Sequence, residues 1–255
     1  TCLLFSCITQ EKEKKIMPTY ANDTHSYAKP NEAVAKHLQL DIDVNFDQKI
    51  ITGTATYTIE NYAGTEIVFD AKNLNIEKAT VDGKEVKFTL GANDAVLGQS
   101  LMIPVEDDSK EVAITYATTD KTEALQFLNP QQTADKEFPF LLTQGQAILT
   151  RTWIPIQDSP QIRITYNAKV QVPNYLMAVM SAENPKAKIP NGAYTFKMAQ
   201  PISPYLIALA VGDFDYKAIS DRTGIYAEKS ILDKAHYEFS DMENMVASAE
   251  KLYGK

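Results

Sequence analysis

Apolar and polar residues alternate along most of the chain from residue 36 onward, which is typical of strands with one buried face. The alternation is clearest over 38–46 and over 162–172, where Pro173 ends the run because it cannot donate to a sheet ladder. A turn follows the first run, and a second alternating run at 54–59 predicts an antiparallel pair. Further strands are predicted at 67–69, 76–81, 85–90, 101–105, 112–116, 175–180, 194–198 and 205–211.

Two of these segments predict more than the presence of a strand. Asp82-Gly83 is a residue pair typical of a type I′ turn, so it predicts a hairpin between 76–81 and 85–90. The run 205–211 is apolar on both faces, which predicts a central strand covered from both sides.

Near residue 230 the apolar spacing changes to three and four, the period of an amphipathic helix. Ser230 is a candidate N-cap and Gly254 a candidate stop. One helix after a long series of strands predicts a mainly β domain followed by the start of a second, helical domain. The apolar positions of this helix are Leu232, Ala235, Phe239, Met242, Val246, Ala249 and Leu252.

Composition and charge narrow the classes of function. The 255 residues are 44% hydrophobic and 23% charged, which is ordinary for a globular protein with a core. The formal net charge of -8 argues against nucleic acid as a partner. The one short basic run, Lys12 to Lys15, is interrupted by Glu13, so it does not change this conclusion.

The amino-terminal residues resemble the end of a bacterial lipoprotein signal peptide, a short apolar run that closes on a cysteine. Cys7 would then be lipidated, and 8–29 would form a polar tether that places the protein in the cell envelope, periplasmic or at the surface. The alternative is a few disordered residues and a cytoplasmic protein. Cys2 and Cys7 are the only cysteines, so the rest of the chain has no disulfide framework and no thiolate nucleophile.

Most catalytic constellations are missing from the sequence. His25, His37 and His236 are the only histidines, and no two lie within one helical turn, so no zinc-binding pair is formed. No Gly-x-Ser-x-Gly elbow and no phosphate-binding glycine loop occurs. Asp41 and Asp43 alternate with core positions of a predicted strand and are interpreted as its solvated face.

The segment 144–160 offers a different chemistry. Gln144 and Gln146 alternate with Gly145 and Ala147, which would place two amides on one face, and Gly145 would let another backbone approach closely. A glutamine amide can bind a peptide end group without titrating. The alternative, which the pattern alone favours, is two solvent-facing glutamines on an edge strand. Arg151 and Asp158 are predicted to pair, Trp153 to pack, and Pro160 to complete a structural turn.

The same segment resembles the zinc aminopeptidases of the aminopeptidase-N type, and especially their leukotriene-hydrolase branch. The resemblance rests on Gln-x-Gln-Ala at 144–147, Arg151, Pro-x-Gln-Asp-x-Pro at 155–160 and Leu-x-Ala-x-Met-Ser-Ala at 176–182. It continues through 204–212 and 237–240 and covers about residues 30–255. It implies a saddle-shaped, mostly antiparallel β domain at 30–214 and, at 215–255, the start of a thermolysin-like catalytic domain. Residues 1–29 would be the signal-peptide tail and tether.

The resemblance also implies roles for the residues of this chain. Gln144 and Gln146 would line the pocket for the first residue of a peptide substrate, with Gln146 holding its free amino group. Gly145 and Ala147 would contact the peptide through their backbone. Zinc, held by a His-Glu-x-x-His helix and a further glutamate, would belong to the catalytic domain downstream, which is also the expected partner of this domain. Because those ligands are absent from this chain, it is predicted to have no peptidase activity alone.

Met242-Glu243-Asn244 matches part of the family's Gly-x-Met-Glu-Asn motif, but Ser240-Asp241 precedes it and the triplet falls in the predicted helix. It is therefore interpreted as a coincidence. Two alternatives to the aminopeptidase stay open. One is a stand-alone, lipid-anchored β module that binds peptide or glycan without catalysis, and the other is a glycosidase accessory domain suggested only by paired carboxylates.

Overall fold

The computed structural model of the chain describes residues 19–254, which form a mainly β structure of four sheets followed by two helices. The first eight strands are β1 (Ala33–Asn45), β2 (Ile50–Asn61), β3 (Glu66–Ala71), β4 (Leu74–Val81), β5 (Lys84–Val86), β6 (Thr89–Leu90), β7 (Gln99–Pro104) and β8 (Glu111–Thr118). The remaining strands are β9 (Leu125–Leu128), β10 (Phe140–Thr143), β11 (Ile164–Gln171), β12 (Met177–Met180), β13 (Ala193–Ile202), β14 (Leu209–Gly212), β15 (Asp215–Ala218) and β16 (Gly224–Ala227). The helices are α1 (Leu232–Glu238) and α2 (Met242–Tyr253).

The largest sheet has seven strands in the order β13-β11-β1-β2-β8-β4-β5. Strands β1 and β2 pair antiparallel in register from Ala33 opposite Asn61 to Asn45 opposite Ile50, as their alternating pattern predicts. The apolar positions of β1 are buried and the polar positions face outward. Strand β1 also pairs with β11, and this is the only parallel pairing among the described strands. The predicted mostly antiparallel, mainly β fold is confirmed.

Two smaller sheets share one hydrophobic core with the largest sheet. Their orders are β12-β14-β10-β9 and β3-β7-β6. The ring of Tyr57 on β2 lies 4.8 Å from that of Phe69 on β3, and the ring of Phe46 lies 5.6 Å from that of Phe127 on β9. Apolar side chains from all three sheets form a single buried cluster. The fourth sheet is the hairpin β15-β16, against which α1 packs.

The predicted hairpin at Asp82-Gly83 is present, and both residues have positive φ angles of 49° and 78°, as a type I′ turn requires. The predicted strand 85–90 is wrong in its continuity. Strand β5 ends at Val86 in the largest sheet, whereas β6 pairs with β7 in another sheet. The chain changes sheets between these two short strands.

The apolar run 205–211 is a strand only in its second half. Pro204–Leu206 form a 3₁₀ turn, closed by a hydrogen bond from the Ile207 N–H to the Pro204 carbonyl (2.9 Å), and β14 begins after it. Proline favours this start because its φ is already near the helical value. Strand β14 does lie inside its sheet, between β12 and β10, as the central position of the run predicted.

The predicted single helix is two helices. The chain turns at Phe239, which accepts a hydrogen bond from the Met242 N–H (3.0 Å), and Asp241 takes the position before α2. Short polar side chains such as Ser240 and Asp241 favour turns and helix starts over helix interiors. Ser230 is not the N-cap, because Ile231 occupies that position and α1 begins at Leu232. Gly254 ends α2 with φ 87°, as expected.

Residues 20–29 were predicted to belong to a tether, and this is wrong for the part that the structure describes. The amide of Gln161 bonds both the N–H and the carbonyl of Ala21 (3.0 and 2.8 Å), and the Tyr27 N–H donates to Asp70 (2.7 Å). This amino-terminal strap, residues 20–28, is therefore part of the fold. Cys7, the predicted lipidation site, lies outside the described residues. No helix within 19–254 is long and apolar enough to span a bilayer.

Candidate functional site

The segment Gln144–Ala147 lies at the end of β10, which is an inner strand paired with β9 on one side and β14 on the other. Two hydrogen bonds hold the end of this strand. The Gln144 N–H donates to the Ala124 carbonyl (2.9 Å), and the Leu209 N–H donates to Thr143 Oγ1 (2.9 Å). The four residues therefore start from a rigid point of the sheet.

The four residues form a turn rather than a strand, so the predicted alternation of the two glutamines on one strand face is wrong. The Leu149 N–H donates to the Gly145 carbonyl (2.9 Å), and a 3₁₀ turn at 150–152 follows. Gln144, Gln146 and Ala147 are exposed, whereas Gly145 is buried. The peptide bond between Gln146 and Ala147 is cis.

Gly145 allows another backbone to approach, as the sequence predicted. A Cβ placed on it would lie 2.8 Å from the Tyr205 carbonyl oxygen and 2.7 Å from Thr150 Oγ1, both closer than a carbon tolerates. Thr150 is itself held by its bond to the Pro204 carbonyl (3.1 Å). The turn is therefore packed tightly against the 3₁₀ turn at 204–206.

The two glutamine side chains differ in their surroundings. Gln144 Oε1 accepts a hydrogen bond from the Gln146 N–H (2.9 Å). The amide group of Gln146 is exposed and has no hydrogen-bond partner among the residues that the structure describes. Of the two side chains, only that of Gln146 has all its donors and acceptors open to a ligand.

A buried ion cluster anchors the chain just after this turn. The guanidinium of Arg151 donates to Asp158 Oδ2 (3.2 Å), to the Leu97 carbonyl (3.0 Å) and to the His25 carbonyl (2.7 Å). Asp70 lies 3.6 Å from it and accepts bonds from Ser26 Oγ, the Tyr27 N–H and the Asp158 N–H. Arg151, Asp158 and Asp70 are at most 2% exposed. We call these three residues the Arg151 cluster.

The predicted pairing of Arg151 with Asp158 and the packing of Trp153, which is fully buried, are confirmed. Asp70 was missed by sequence reasoning. Its signal was present in the sequence, because a lone aspartate follows three consecutive apolar residues, 67–69, and precedes an alanine. A buried carboxylate requires a charged or hydrogen-bonding partner, and such an isolated position is a candidate for one.

Burial raises the pKa of both carboxyls of the Arg151 cluster, that of Asp158 to about 6. The guanidinium beside them acts in the opposite direction, but two carboxylates share this one cation, so burial dominates. The cluster joins the amino-terminal strap to the turn that follows the candidate site.

The other residues considered from the sequence have ordinary surroundings. His37 lies on the outer face of the largest sheet against Thr165 (2.7 Å) and Asn167 (3.2 Å), where partial burial lowers its pKa. Asp41 and Asp43 are exposed. Within residues 19–254 no three His, Cys, Asp or Glu side chains are grouped so that they could hold a metal ion.

Glu243 of the Met-Glu-Asn triplet lies in the first turn of α2. Its carboxylate accepts bonds from Arg222 Nε (2.8 Å) and Ser220 Oγ (2.6 Å) and so ties the β15–β16 turn to the helix. This carboxylate is already paired within the chain, which agrees with the interpretation of the triplet as a coincidence.

The fold is a mainly β domain of several mostly antiparallel sheets, with an exposed turn at the end of strand β10. The chain belongs to the peptidase M1 family, since the family model of the Peptidase M1 N-terminal domain matches residues 34–206. It is 36% identical over 244 residues to leukotriene A-4 hydrolase of Xenopus laevis, covering 91% of this chain and 40% of that protein. Over 220 residues it is 36% identical to leucine aminopeptidase 2-2 of Meyerozyma guilliermondii, covering 85% and 34%.

Solved structures of yeast leukotriene A4 hydrolase are also similar to this chain. Native leukotriene A4 hydrolase from Saccharomyces cerevisiae superposes with a TM-score of 0.85 at 27% identity, covering 93% of this chain and 38% of that one. The yeast enzyme in complex with bestatin also gives a TM-score of 0.85, at 28% identity and 92% and 37% coverage. The chain thus spans about two fifths of the length of these proteins.

Proposed function

We propose that this chain is the N-terminal part of a zinc-dependent aminopeptidase that removes residues from the amino end of peptides. Its membership of the peptidase M1 family supports this proposal, as do relatives named leukotriene A-4 hydrolase and leucine aminopeptidase. In this proposal residues 30–214 are the N-terminal β domain, and 215–255 begin the catalytic domain.

The observation that carries the proposal is the exposed turn at Gln144–Ala147. Gln146 projects an amide that has no hydrogen-bond partner within residues 19–254, from a turn with a buried glycine at its base. Its oxygen can accept from a peptide's ammonium group, and its nitrogen can donate to a carbonyl, at any pH at which the peptide is bound. The turn would form the wall of the pocket for the first substrate residue, with Gly145 and Ala147 contributing backbone contacts.

Zinc would be bound outside residues 19–254. When bound, it would activate a water molecule for attack on the scissile carbonyl. What this chain contributes is the orientation of the peptide's amino end. We therefore expect the 255-residue chain alone to have no peptidase activity, and zinc-dependent release of an amino acid by the purified chain would contradict this.

The catalytic domain would also be the partner of α1 and α2. Neither helix has a buried residue, and the large apolar side chains of Tyr237 and Leu252 are 80% and 74% exposed. Exposed apolar side chains on an amphipathic helix favour a covering partner. The proposed partners are thus this downstream domain and a peptide substrate, with no nucleic acid.

Contact with a membrane would occur only through a lipid on Cys7, which would place the protein in the cell envelope. This proposal rests on the sequence of the first seven residues. Fractionation of cells that produce the protein with and without Cys7→Ala tests it. A protein that is equally soluble in both cases favours the cytoplasmic alternative.

The decisive experiment is to determine the coding sequence beyond Lys255 and to assay the protein it encodes. A frame that continues into Gly-x-Met-Glu-Asn and His-Glu-x-x-His, with release of amino acids from aminoacyl substrates, supports the proposal. In that protein Gln146→Ala should lower kcat/KM about tenfold or more, whereas Gln126→Ala, an exposed glutamine on neighbouring β9, should not. A stop codon after Lys255 would favour the stand-alone β module that binds peptide or glycan.

A further inference from the structure

Glu228 is one of three buried carboxylates among the described residues, and it is the one without a cation beside it. Asp70 and Asp158 both lie against the guanidinium of Arg151, at 3.6 and 3.2 Å. Glu228 is 7% exposed, and no basic side chain within residues 19–254 forms an ion pair with it. Buried charges are normally paired, because removal of a lone charge from water is costly.

Backbone donors hold one oxygen of the Glu228 carboxylate and leave the other. Oε2 accepts from the N–H groups of Ala134 (2.5 Å) and Asp135 (3.3 Å), whereas Oε1 has no hydrogen-bond partner in the part of the chain that the structure describes. Lys136 follows in the same loop, but its ammonium group donates to two carbonyl oxygens of that loop (2.7 and 3.1 Å). The two N–H groups therefore fix the carboxylate in place, and Oε1 is the oxygen left for a ligand.

The same carboxylate borders an apolar cavity of about 320 Å³ between strands β9 and β10 and the hairpin β15–β16. This volume is within the range of about 300–1,000 Å³ that is typical of small-molecule sites. The cavity lies at the start of β10, whereas the turn at 144–147 follows the other end of that strand. Its apolar wall is formed by Leu128, Phe140, Phe214, Tyr226 and Ile231.

Three aromatic rings give this wall a chemistry that suits a cation. The rings of Phe140 and Phe214 meet edge to face, with centroids 5.4 Å apart. The hydroxyl of Tyr226 donates to the Pro185 carbonyl (3.0 Å), so its polar end is already bonded. Aromatic faces attract ammonium groups and also cover apolar surface. Rings and an unpaired carboxylate around one cavity match a ligand that carries a positive charge on an apolar body.

We propose that this cavity binds a small ammonium ion with an aromatic body, and that Glu228 is its counter-ion. Oε1 accepts from the ammonium group, and the body of the ligand covers the apolar wall. The proposal does not depend on the proposed peptidase function, since no residue of the turn at 144–147 lines the cavity.

The test is a titration of the 255-residue chain with phenethylammonium at neutral pH, followed by the NMR shifts of the Ala134 and Asp135 N–H groups. We expect saturable shifts with a Kd of about 1 mM, a value ordinary for a ligand of this size. Phenethyl alcohol has the same shape without the charge and should bind at least about fivefold more weakly. Equal affinities, or no saturable shift at these two residues, would overturn the proposal.

A substitution at Glu228 tests the same point from the side of the protein. Glu228→Gln keeps an acceptor for the two N–H groups but removes the charge, so phenethylammonium should bind about tenfold more weakly and the alcohol nearly as before. Glu238→Gln changes the net charge equally at an exposed position of α1 and should alter neither affinity. Equal losses in both variants would show a general charge effect and refute the assignment of Glu228. If Glu228→Gln does not fold, the comparison of the two ligands on the wild type decides.

A third ligand distinguishes a free aromatic amine from a lysine side chain of another protein. Butylammonium has the shape of a lysine side chain and covers less of the apolar wall, so it should bind at least about fivefold more weakly than phenethylammonium. Tighter binding of butylammonium would overturn the proposed ligand and assign the cavity to a lysine.

Discussion

Replacement of Arg151 by methionine is the most severe test of the Arg151 cluster, which holds the chain just after the candidate site. Methionine keeps much of the apolar stem but removes the only cation of the Arg151 cluster. Asp158 would lose the guanidinium at 3.2 Å, and the carbonyls of Leu97 and His25 would lose their donors. Asp70 and Asp158 would remain almost fully buried, without a positive charge beside them.

The size of the effect follows from this loss. Removal of one partner from a buried ion pair costs about 3–5 kcal/mol, because the other charge stays buried and uncompensated. Each carbonyl left without its donor adds about 1 kcal/mol, unless water replaces it. Proton uptake by the carboxyls limits the total. We expect a loss of about 3–5 kcal/mol at neutral pH, a large share of the roughly 5–15 kcal/mol by which domains are stable.

Urea unfolding at neutral pH measures this loss, and the fluorescence of the single tryptophan, Trp153, which is fully buried, reports it. Arg163→Met is the control, because Arg163 is exposed, and it should change the stability by less than about 0.5 kcal/mol. If Arg151→Met does not fold, Arg151→Lys keeps the charge but loses the planar fork of donors and should still be less stable than the wild type. A loss below about 1 kcal/mol for Arg151→Met would refute the account of the cluster.

Three further predictions concern charge, backbone and helix contacts. Burial raises the pKa of Asp158 to about 6, above the ordinary value of 3.8, so the folded chain binds this proton more tightly than the unfolded chain. The stability of the wild type relative to Asp158→Asn should therefore fall as the pH rises from about 4 to about 6, and a relative stability that rises over this range in urea unfolding would contradict it. Gly192→Ala should be more destabilising than Gly83→Ala by about 1 kcal/mol or more in thermal unfolding. Both glycines have positive φ (68° and 78°), but only a Cβ on Gly192 would collide with a backbone, the Val172 carbonyl at 2.1 Å, so equal costs would argue against that close contact. Arg222→Met should speed amide exchange in the first turn of α2, and the difference from wild type should shrink at high salt, since the pairs that Arg222 makes with the helix are exposed.

Local periodicity was enough to predict most strands of this fold. The alternation at 38–46 and 54–59 predicted β1 and β2 and which of their faces is buried, because a strand with one solvated face must alternate. The Asp82-Gly83 pair predicted the turn type because few residues adopt two successive positive φ angles.

Contacts between distant residues could not be predicted in the same way. Nothing within β11 indicates that it pairs in parallel with β1, more than a hundred residues earlier in the chain. Likewise, the polar composition of 20–28 suggested a tether, although these residues find buried acceptors on Asp70 and an amide partner in Gln161. Polar segments look alike in sequence whether water or the protein satisfies their backbone.

The sequence predicted a strand at 144–147, whereas the structure has a turn there. Alternation of Gln144 and Gln146 suggested a strand. The structure instead has a turn, in which the absence of a Cβ on Gly145 lets the Tyr205 backbone approach. Periodicity over four residues cannot distinguish a strand from a turn, since the deciding contact comes from a segment distant in sequence.

The segment 144–158 thus combines an exposed half and a buried half, and substitutions in the two halves should have different effects. The Gln146 side chain is exposed and has no hydrogen-bond partner in the described part of the chain. Its replacement should therefore lower kcat/KM of the proposed enzyme and leave the free energy of unfolding nearly unchanged. Arg151 is buried and bonded, so its replacement should lower the free energy of unfolding first and affect the turn only through the fold. A binding turn functions best when its support is rigid, which is what the Arg151 cluster supplies. If variants of both residues reduced stability equally, the turn would be a structural element and the peptide-binding role would have to be assigned elsewhere.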